Sequence, residues 1–294
     1  MPPPDASSLF ARVMPPLFVL LWSTGFIGAK FGLPYAEPFT FLLIRMLLVS
    51  SLLAAAALLW RAAWPRSWRL TGHIALAGLL VHGGYLGGVF VAIHWGLSAG
   101  ATALVVGLQP LLTAALAGPL LGEKVSRGQW AGLVLGLIGV VLVVSAKLEA
   151  GAGALVGLIP AGVSLLCITF GTLHQKRHCG GMDLRSGAAI QYAAAAALYA
   201  VLAVSTETMQ VRWTGEFVFA LTWLTLVLSV GAIFLLFIMI RAGAASKVAS
   251  LFYLTPPTTA LIAWGLFGET MAPPALAGMA LAAAGVWLAN RSQG

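Results

Sequence analysis

Long apolar runs alternate along the chain with short breaks that are polar or rich in Pro and Gly. At about 1.5 Å rise per residue, a helix of about 20 residues crosses a hydrocarbon core of about 30 Å. The pattern therefore predicts an all-α membrane protein, and the short breaks predict a compact bundle without a soluble domain. The ten predicted transmembrane helices cover roughly residues 14–33, 38–60, 70–93, 98–120, 128–146, 153–174, 184–204, 217–240, 246–267 and 273–290.

One helical hairpin, at residues 103–146, occurs a second time at residues 253–291. Pro110 and Pro256 lie 146 positions apart, and the same offset relates the Gly-Glu turns of the two hairpins. The offset also extends back through the first two helices, so the chain is predicted to be a duplication. The predicted divisions are a tail at 1–13, a first five-helix repeat at 14–146 and a second at 153–290.

The composition supports burial in lipid, since 60% of the 294 residues are hydrophobic and only 8% are charged. An ordinary soluble domain carries about 25% charged residues. The chain has 16 basic and 8 acidic residues, a net charge of +8. In a soluble protein this excess would suggest nucleic acid, but in a membrane protein basic residues gather in cytoplasmic loops. We therefore expect the lipid bilayer as a partner and no nucleic acid.

The basic residues fall in every second loop, which predicts that both termini are cytoplasmic. Only Lys147, Arg212 and Lys30 lie on the opposite side, while Arg45 lies inside helix two. Five helices is an odd number, so the two repeats would have opposite orientations. Inverted repeats are typical of secondary transporters. The twelve residues on the cytoplasmic side are Arg12, Arg61, Arg66, Arg69, Lys124, Arg127, Lys176, Arg177, Arg185, Arg241, Lys247 and Arg291.

Short motifs stand out in helices one and two and in both hairpins. They are 21–26 (LWSTGF), 38–45, Gln109-Pro110 with Gly122-Glu123, and Thr255-Pro256 with Gly268-Glu269. In these motifs the chain resembles the drug/metabolite transporter superfamily, in the branch built from two EamA-type domains. The resemblance covers roughly residues 14–290. It implies ten helices, cytoplasmic termini and a location in the bacterial inner membrane. It also implies a central cavity lined mainly by helices 1, 3, 4, 6, 8 and 9, and export or exchange of small metabolites such as amino acids.

None of the eight carboxylates lies in the middle of a predicted helix. Intramembrane carboxylates commonly couple the efflux of cations to protons. The small four-helix multidrug exporters related to this superfamily use such a Glu in helix one, whereas residues 22–28 contain no acid here. This difference favours a neutral or zwitterionic substrate. Glu123 and Glu269 end their helices at hairpin turns, where each is either part of a gate or a solvated turn residue.

Arg45 is the only charged residue well inside a predicted helix, and its equivalent in the second repeat is the neutral Gln191. Two interpretations are open. The guanidinium could reach the outer interface and pair with Glu37, eight residues earlier. Alternatively, it could bind the carboxylate of a substrate, for which its fork of donors has suitable geometry.

Prolines within apolar runs predict where helices are interrupted, because each removes a backbone donor and frees a carbonyl. In a membrane such a carbonyl must face protein or a cavity. We therefore expect the cavity near the two prolines, their polar neighbours, and aromatic residues in other helices. The predicted cavity residues are Trp22, Thr24, Phe26, Arg45, His82, Tyr85, Gln109, Pro110, Thr113, Thr169, Gln191, Phe237, Tyr253, Thr255, Pro256 and Thr259.

Few other residues could take part in proton transfer or metal binding. His82 is either a proton relay or a neutral, hydrogen-bonded interior residue. His174 and His178 straddle a charged turn, and no metal site or cofactor is predicted.

The leading hypothesis is a secondary transporter of a small molecule, and a multidrug efflux pump of the same fold is the alternative. An intramembrane enzyme is remote, because the chain has no GxxxxGK[ST] and no acid within the membrane. Either a monomer or a homodimer is compatible with the sequence.

Overall fold

The computed structural model describes these parts of the chain: 6–109, 111–113, 115–116, 126–148, 155–232, 235, 254–268 and 272–291. These residues are helical apart from turns, short loops and one isolated antiparallel bridge between Ala36 and Val211. The prediction of an all-α protein is confirmed. The helices are α1 (Ala6–Gly32), α2 (Pro38–Leu59), α3 (Trp68–His94), α4 (Ala99–Val106), α5 (Arg127–Leu148), α6 (Leu158–His178), α7 (Leu184–Thr206), α8 (Gly215–Ala232), α9 (Thr255–Phe267) and α10 (Pro273–Arg291).

Six helices in the described part of the chain are long and apolar enough to cross a membrane: α1, α2, α3, α6, α7 and α8. Further apolar helical stretches at Ala99–Thr113, Trp130–Gly139 and Pro273–Gly285 are shorter. The large apolar side chains on the outer faces of α2, α5 and α7 are exposed, as expected for surfaces that contact lipid. The number of ten spans and the cytoplasmic position of both termini stay predictions.

The helices pack in pairs that the offset of 146 residues relates to one another. Helix α2 packs on α7, α4 on α9 and α5 on α10, so each of these pairs joins equivalent helices. Helix α1 packs on α8 and α9, and its equivalent α6 packs on α3 and α4. The contacts of one half therefore reappear in the other half with the roles exchanged.

At the interface between α5 and α10, even single close contacts occur in pairs that the offset of 146 residues relates. A Cβ added to Gly139 would lie 2.5 Å from the carbonyl oxygen of Gly278, and one added to Gly285 would lie 2.6 Å from that of Gly132. Gly285 follows Gly139 by 146 positions, and Gly278 follows Gly132 by the same number. Small residues let the two backbones approach this closely, as they do at many interfaces between membrane helices.

The ends of α2 and α7 are joined by two carboxylates. Glu207, just after α7, accepts hydrogen bonds from the backbone amides of Phe39 and Thr40, both at 2.7 Å. A carboxylate is favourable there because the first amides of a helix lack partners within the helix. In return, Glu37 accepts from the amide and hydroxyl of Thr208 at 2.8 and 2.7 Å.

Two helices contain π-helical segments, Leu79–Gly84 in α3 and Trp223–Ala232 in α8. The second segment includes the positions equivalent to the first. Hydroxyl groups of neighbouring helices bond the carbonyls near the first segment: Tyr199 donates to Gly83 at 2.6 Å and Ser164 donates to Tyr85 at 2.7 Å. Such partners are what an interrupted helix needs in lipid. Because π-helical turns frequently occur at functional sites, the two segments direct attention to the space between them.

Candidate functional site

A cavity of about 110 Å³ lies between the two π-helical segments. A single water needs roughly 10–15 Å³ by this measure, so the cavity can hold a small organic molecule. Its lining comes from α1, α2, α3, α6, α7 and α8, which form three equivalent pairs. The lining residues are Trp22, Gly25, Phe26, Arg45, Val81, His82, Tyr85, Leu86, Val89, Phe90, Ile168, Tyr192, Leu228 and Ser229.

Arg45 provides the charge of this cavity. Its side chain is 2% exposed, and its Nη2 donates to the hydroxyl of Ser229 at 3.1 Å. Its Nε is buried and has no hydrogen-bond partner. The alternative ion pair with Glu37 does not form, because that carboxylate bonds Thr208 at the helix end.

Polar side chains share the cavity with the guanidinium. The hydroxyl of Ser229 donates to the carbonyl of Leu224 at 3.1 Å, across the π-helical turn of α8. The ring of Tyr192 stacks on His82 with 4.0 Å between the ring centroids. Side chains from α2, α3, α7 and α8 therefore form the polar part of the cavity.

The rest of the described lining is mostly apolar, with aliphatic side chains and with aromatic rings from α1 and α3. Phe26 is 4% exposed and Phe90 is 1% exposed. The ring of Phe90 packs edge-on against Phe41 of α2 at 5.3 Å, and Trp22 packs against Phe18 at 5.4 Å. These contacts with residues behind the wall fix the aromatic surface. The cavity thus combines one cationic group with an apolar chamber, a combination typical of sites for small organic molecules.

Five of the residues predicted from the sequence line the cavity: Trp22, Phe26, Arg45, His82 and Tyr85. The predicted Gln191 is not part of the described lining. It is buried in α7 beside Tyr192 and donates to Gln175 at 3.3 Å.

Four further predicted residues do not line the cavity. Thr24 accepts a hydrogen bond from the indole of Trp223 at 2.9 Å, and Thr169 donates to a carbonyl of its own helix, that of Leu165, at 2.7 Å. Gln109 donates to Thr113 at 3.2 Å, so both bond within one helical turn.

The predicted Thr255 and Thr259 belong to a seam between α1 and α9. Thr259 donates to the carbonyl of Ser23 at 3.3 Å, and the hydroxyl of Ser23 lies 3.4 Å from the carbonyl of Thr255 as well as 2.7 Å from that of Val19. The seam continues toward the ends of the helices, where Lys30 lies 4.3 Å from the ring centroid of Phe267. We define the α1–α9 seam as Ser23, Lys30, Thr255, Thr259 and Phe267.

Pro256 lies elsewhere, in the first turn of α9. A proline is tolerated there because that amide has no partner within the helix. Its ring faces Gly107 of α4, beside a second cavity of only about 10 Å³. The described part of α9 therefore places its proline at a helix contact rather than at the main cavity. Five predicted residues lie outside the described residues: Pro110, Phe237, Tyr253, Glu123 and Glu269.

Several lining residues were missed from the sequence. Ile168 is equivalent to Trp22 and Leu228 to His82, so applying the offset of 146 to the predicted residues would have found both. Ser229 carries a different signal, because it is a hydroxyl within an otherwise apolar run of α8. No member of the described lining belongs to α4 or α9, whereas α2 and α7 both contribute.

Long apolar helices, π-helical segments in equivalent positions and a central cavity together define a membrane transport protein. Residues 16–145 and 155–291 each match the EamA-like transporter family, and the chain belongs to this family. The resemblance seen in the sequence motifs is therefore confirmed.

Two relatives align over most of their length. The chain is 28% identical over 86% of its length to "Uncharacterized inner membrane transporter YedA" of Escherichia coli, of which it covers 81%. It is 30% identical over 94% of its length to "Probable terminal-alkyne amino-acid exporter" of Streptantibioticus cattleyicolor, of which it covers 91%. A solved crystal structure has the same fold, with a TM-score of 0.68, 21% identity and coverage of 95% of this chain and 96% of that one.

The protein is a multi-pass protein of the bacterial inner membrane, as its family, its six long apolar helices and its relatives indicate. Its family and relatives are transporters rather than enzymes.

Proposed function

We propose that the protein is a secondary transporter that exports or exchanges a small neutral or zwitterionic metabolite, such as an amino acid, by alternating access. The observation that carries this proposal is the cavity, which three pairs of equivalent helices enclose between two interrupted helices. A site on the axis that relates two repeats stays in place while the repeats exchange conformations. The amino-acid exporter among the relatives supports the substrate class.

The α1–α9 seam supports the alternating part of the proposal. The equivalents of Ser23 and Thr259 are Thr169 in α6 and Thr113, which ends the helical stretch Ala99–Thr113 that continues α4. The bond from Thr169 to Leu165 repeats the bond from Ser23 to Val19. However, Thr113 bonds Gln109 of its own helix, whereas Thr259 bonds across to α1. The α1–α9 seam is thus joined by hydrogen bonds between its helices, whereas the described residues Thr113 and Thr169 at the equivalent positions bond only within their own helices.

We assign the α1–α9 seam to the periplasmic side, where the predicted topology puts the α1–α2 loop. That side is further closed by the bridge between Ala36 and Val211 and by the guanidinium of Arg212, which donates to the carbonyl of Pro34. In the opposite state the seam would open and α6 would close on α4. With the α1–α9 seam on the periplasmic side, both termini would lie in the cytoplasm and the two repeats would have opposite orientations.

Counterflow in proteoliposomes tests the function. Vesicles loaded with an unlabelled amino-acid mixture should accumulate a labelled amino acid when they contain the protein. The variant R45Q should lose this uptake, since it removes the charge of the cavity. R66Q is the matched control, because Arg66 is exposed in the loop before α3 and should leave uptake unchanged. Folded protein that shows no counterflow of any amino acid or related metabolite would contradict the proposal. Efflux of cationic dyes driven by a pH gradient would favour the multidrug alternative instead.

A further inference from the structure

We propose that the substrate supplies the missing counter-charge of Arg45, so that the site takes monocarboxylates with an apolar or aromatic body. This inference rests on the proposed function and names the substrate class of the same cavity. It starts from the burial of the guanidinium. Arg45 is the one charged side chain among the buried residues of the described part of the chain. An arginine side chain stays protonated inside proteins, and a buried charge is costly unless it is paired.

The described surroundings of Arg45 offer hydrogen bonds but no negative charge. Its one hydrogen bond goes to the neutral hydroxyl of Ser229. The two carboxylates at the joined ends of α2 and α7 have other partners, because Glu37 bonds Thr208 and Glu207 bonds the first amides of α2. Removing one partner of a buried ion pair is strongly destabilising, because the other charge is left buried and uncompensated. The guanidinium of Arg45, with no carboxylate partner among the described residues, resembles one half of such a pair.

The guanidinium has the shape that a carboxylate fits. Its Nε is buried and has no hydrogen-bond partner among the described residues, and Nε with an adjacent Nη forms a pair of parallel donors. A carboxylate accepts both at once, and such charge-assisted pairs are among the strongest hydrogen bonds in proteins. Arg45 lines the cavity, so a carboxylate bound there would neutralise its charge, and a change of side-chain orientation that turns Nε into the cavity would satisfy that donor as well.

The apolar chamber determines the rest of the ligand. Trp22, Phe26 and Phe90 offer aromatic surface, and the described lining contains no carboxylate that could pair with a second cationic group. A ligand ammonium could still lie against the face of an aromatic ring, a weaker interaction than an ion pair. The site therefore requires the carboxylate and tolerates the amino group. A second carboxylate has no partner in the described lining, so dicarboxylates should be excluded.

A series of ligands with one ring and different charged groups tests the class. The purified full-length protein is reconstituted in lipid nanodiscs, and the binding of phenylalanine, 3-phenylpropanoate, phenylalaninamide and 2-phenylethylamine is measured. We expect the two carboxylates to bind at least about ten-fold more tightly than the amide and the amine, since hydrogen bonds to charged groups are stronger than those between neutral groups. Equal affinities across the series, or a preference for the amine, would overturn the proposal.

Variants of Arg45 link the preference to the guanidinium. R45Q should reduce the affinity for both carboxylates about ten-fold or more and leave the weak binding of the amide unchanged. R45K keeps the charge but not the fork, so it should retain an intermediate preference for carboxylates, and it serves if R45Q does not fold. R66Q is the control. An unchanged carboxylate preference in R45K and R45Q would overturn the assignment to Arg45.

Failure of this proposal and failure of the proposed function give different results. If the protein transports amino acids but also transports their amides equally well, the transporter proposal stands and the carboxylate requirement is wrong. If the carboxylates bind as expected but no substrate crosses the membrane in counterflow, the site is correct and the transport proposal is wrong.

Discussion

The two halves of the molecule share a backbone plan but differ in chemistry at the cavity. The first half provides Arg45 and His82, whereas the second provides Gln191 and Leu228 at the equivalent positions. The scaffold is more symmetric, since both halves carry a π-helical segment and matched glycines at the α5–α10 interface. Symmetric backbones suit two states that exchange roles, and unequal side chains suit a substrate with one charged end. The symmetry therefore fits the proposed transport cycle, and the asymmetry fits the proposed recognition of a substrate with one carboxylate.

The largest effect is expected when the cavity's positive charge is moved from the first half of the molecule to the second. The double variant R45Q/Q191R should be as inactive in counterflow as R45Q alone, about ten-fold or more below the wild type. The physical reason is the hydroxyl that holds the guanidinium, because the position equivalent to Ser229 is Gly83. Recovery of transport in the double variant would show that the two sides of the cavity are interchangeable.

Equivalent substitutions at the α5–α10 interface should have equal effects in the two halves, unlike equivalent substitutions at the cavity. G139A and G285A each place a Cβ within 2.6 Å of a backbone oxygen of the opposite helix. We expect both to lower the free energy of unfolding by similar amounts, about 1–3 kcal/mol, as overpacking does. Thermal unfolding of the purified protein measures this effect. The control is G265A, whose added Cβ meets nothing within 4 Å. A large loss in only one of the two variants would contradict the symmetric interface.

The architecture was largely readable from the sequence because lipid imposes a strong constraint. Apolar length identified the long helices, and the offset of 146 identified which helices are equivalent. The π-helical segments were not predicted. They depend on hydroxyls from other helices, such as Tyr199 on Gly83, and those contacts exist only once the bundle has formed.

Part of the cavity lining could be predicted from the sequence for a related reason. Polar and aromatic residues in apolar runs identified Arg45, His82 and Trp22, since such residues are conspicuous in lipid. The prolines were the weaker guide, because Pro256 lies in the first turn of α9 and packs against Gly107. Residues such as Val81 and Leu228 carry no signal of their own and line the cavity only through packing.

The π-helical segment of α3 should depend on one hydroxyl. Y199F removes the donor to the carbonyl of Gly83 and leaves the ring, which stacks on Phe39 at 6.1 Å, in place. Leaving a buried carbonyl without its partner costs about 1–3 kcal/mol. Thermal unfolding should show this loss, and the affinity for carboxylates should fall because α3 carries His82 and Tyr85 into the cavity. A variant with wild-type stability would show that water or another group satisfies the carbonyl.

The smallest expected effect is the difference between substitutions in the α1–α9 seam and at the equivalent position between α4 and α6. T259V removes the hydrogen bond to Ser23 across the α1–α9 seam, and T113V removes a hydroxyl that bonds only Gln109 of its own helix. A single neutral hydrogen bond contributes about 0.5–1.5 kcal/mol, so T259V should shift the balance between the two access states a few-fold. The shift can be measured as the rate at which a periplasmic thiol reagent reaches a cysteine in the cavity. T113V should not increase that rate, and equal increases in both variants would remove the distinction between the seams.

The central claim is that one cavity opens to both sides of the membrane. Leu228 lines the cavity, so L228C in a background without Cys167 and Cys179 places a single thiol there. Impermeant thiol reagents should label it from either side of oriented vesicles, and 3-phenylpropanoate should protect it from both. Labelling from one side only, under conditions in which counterflow proceeds, would contradict alternating access around this cavity.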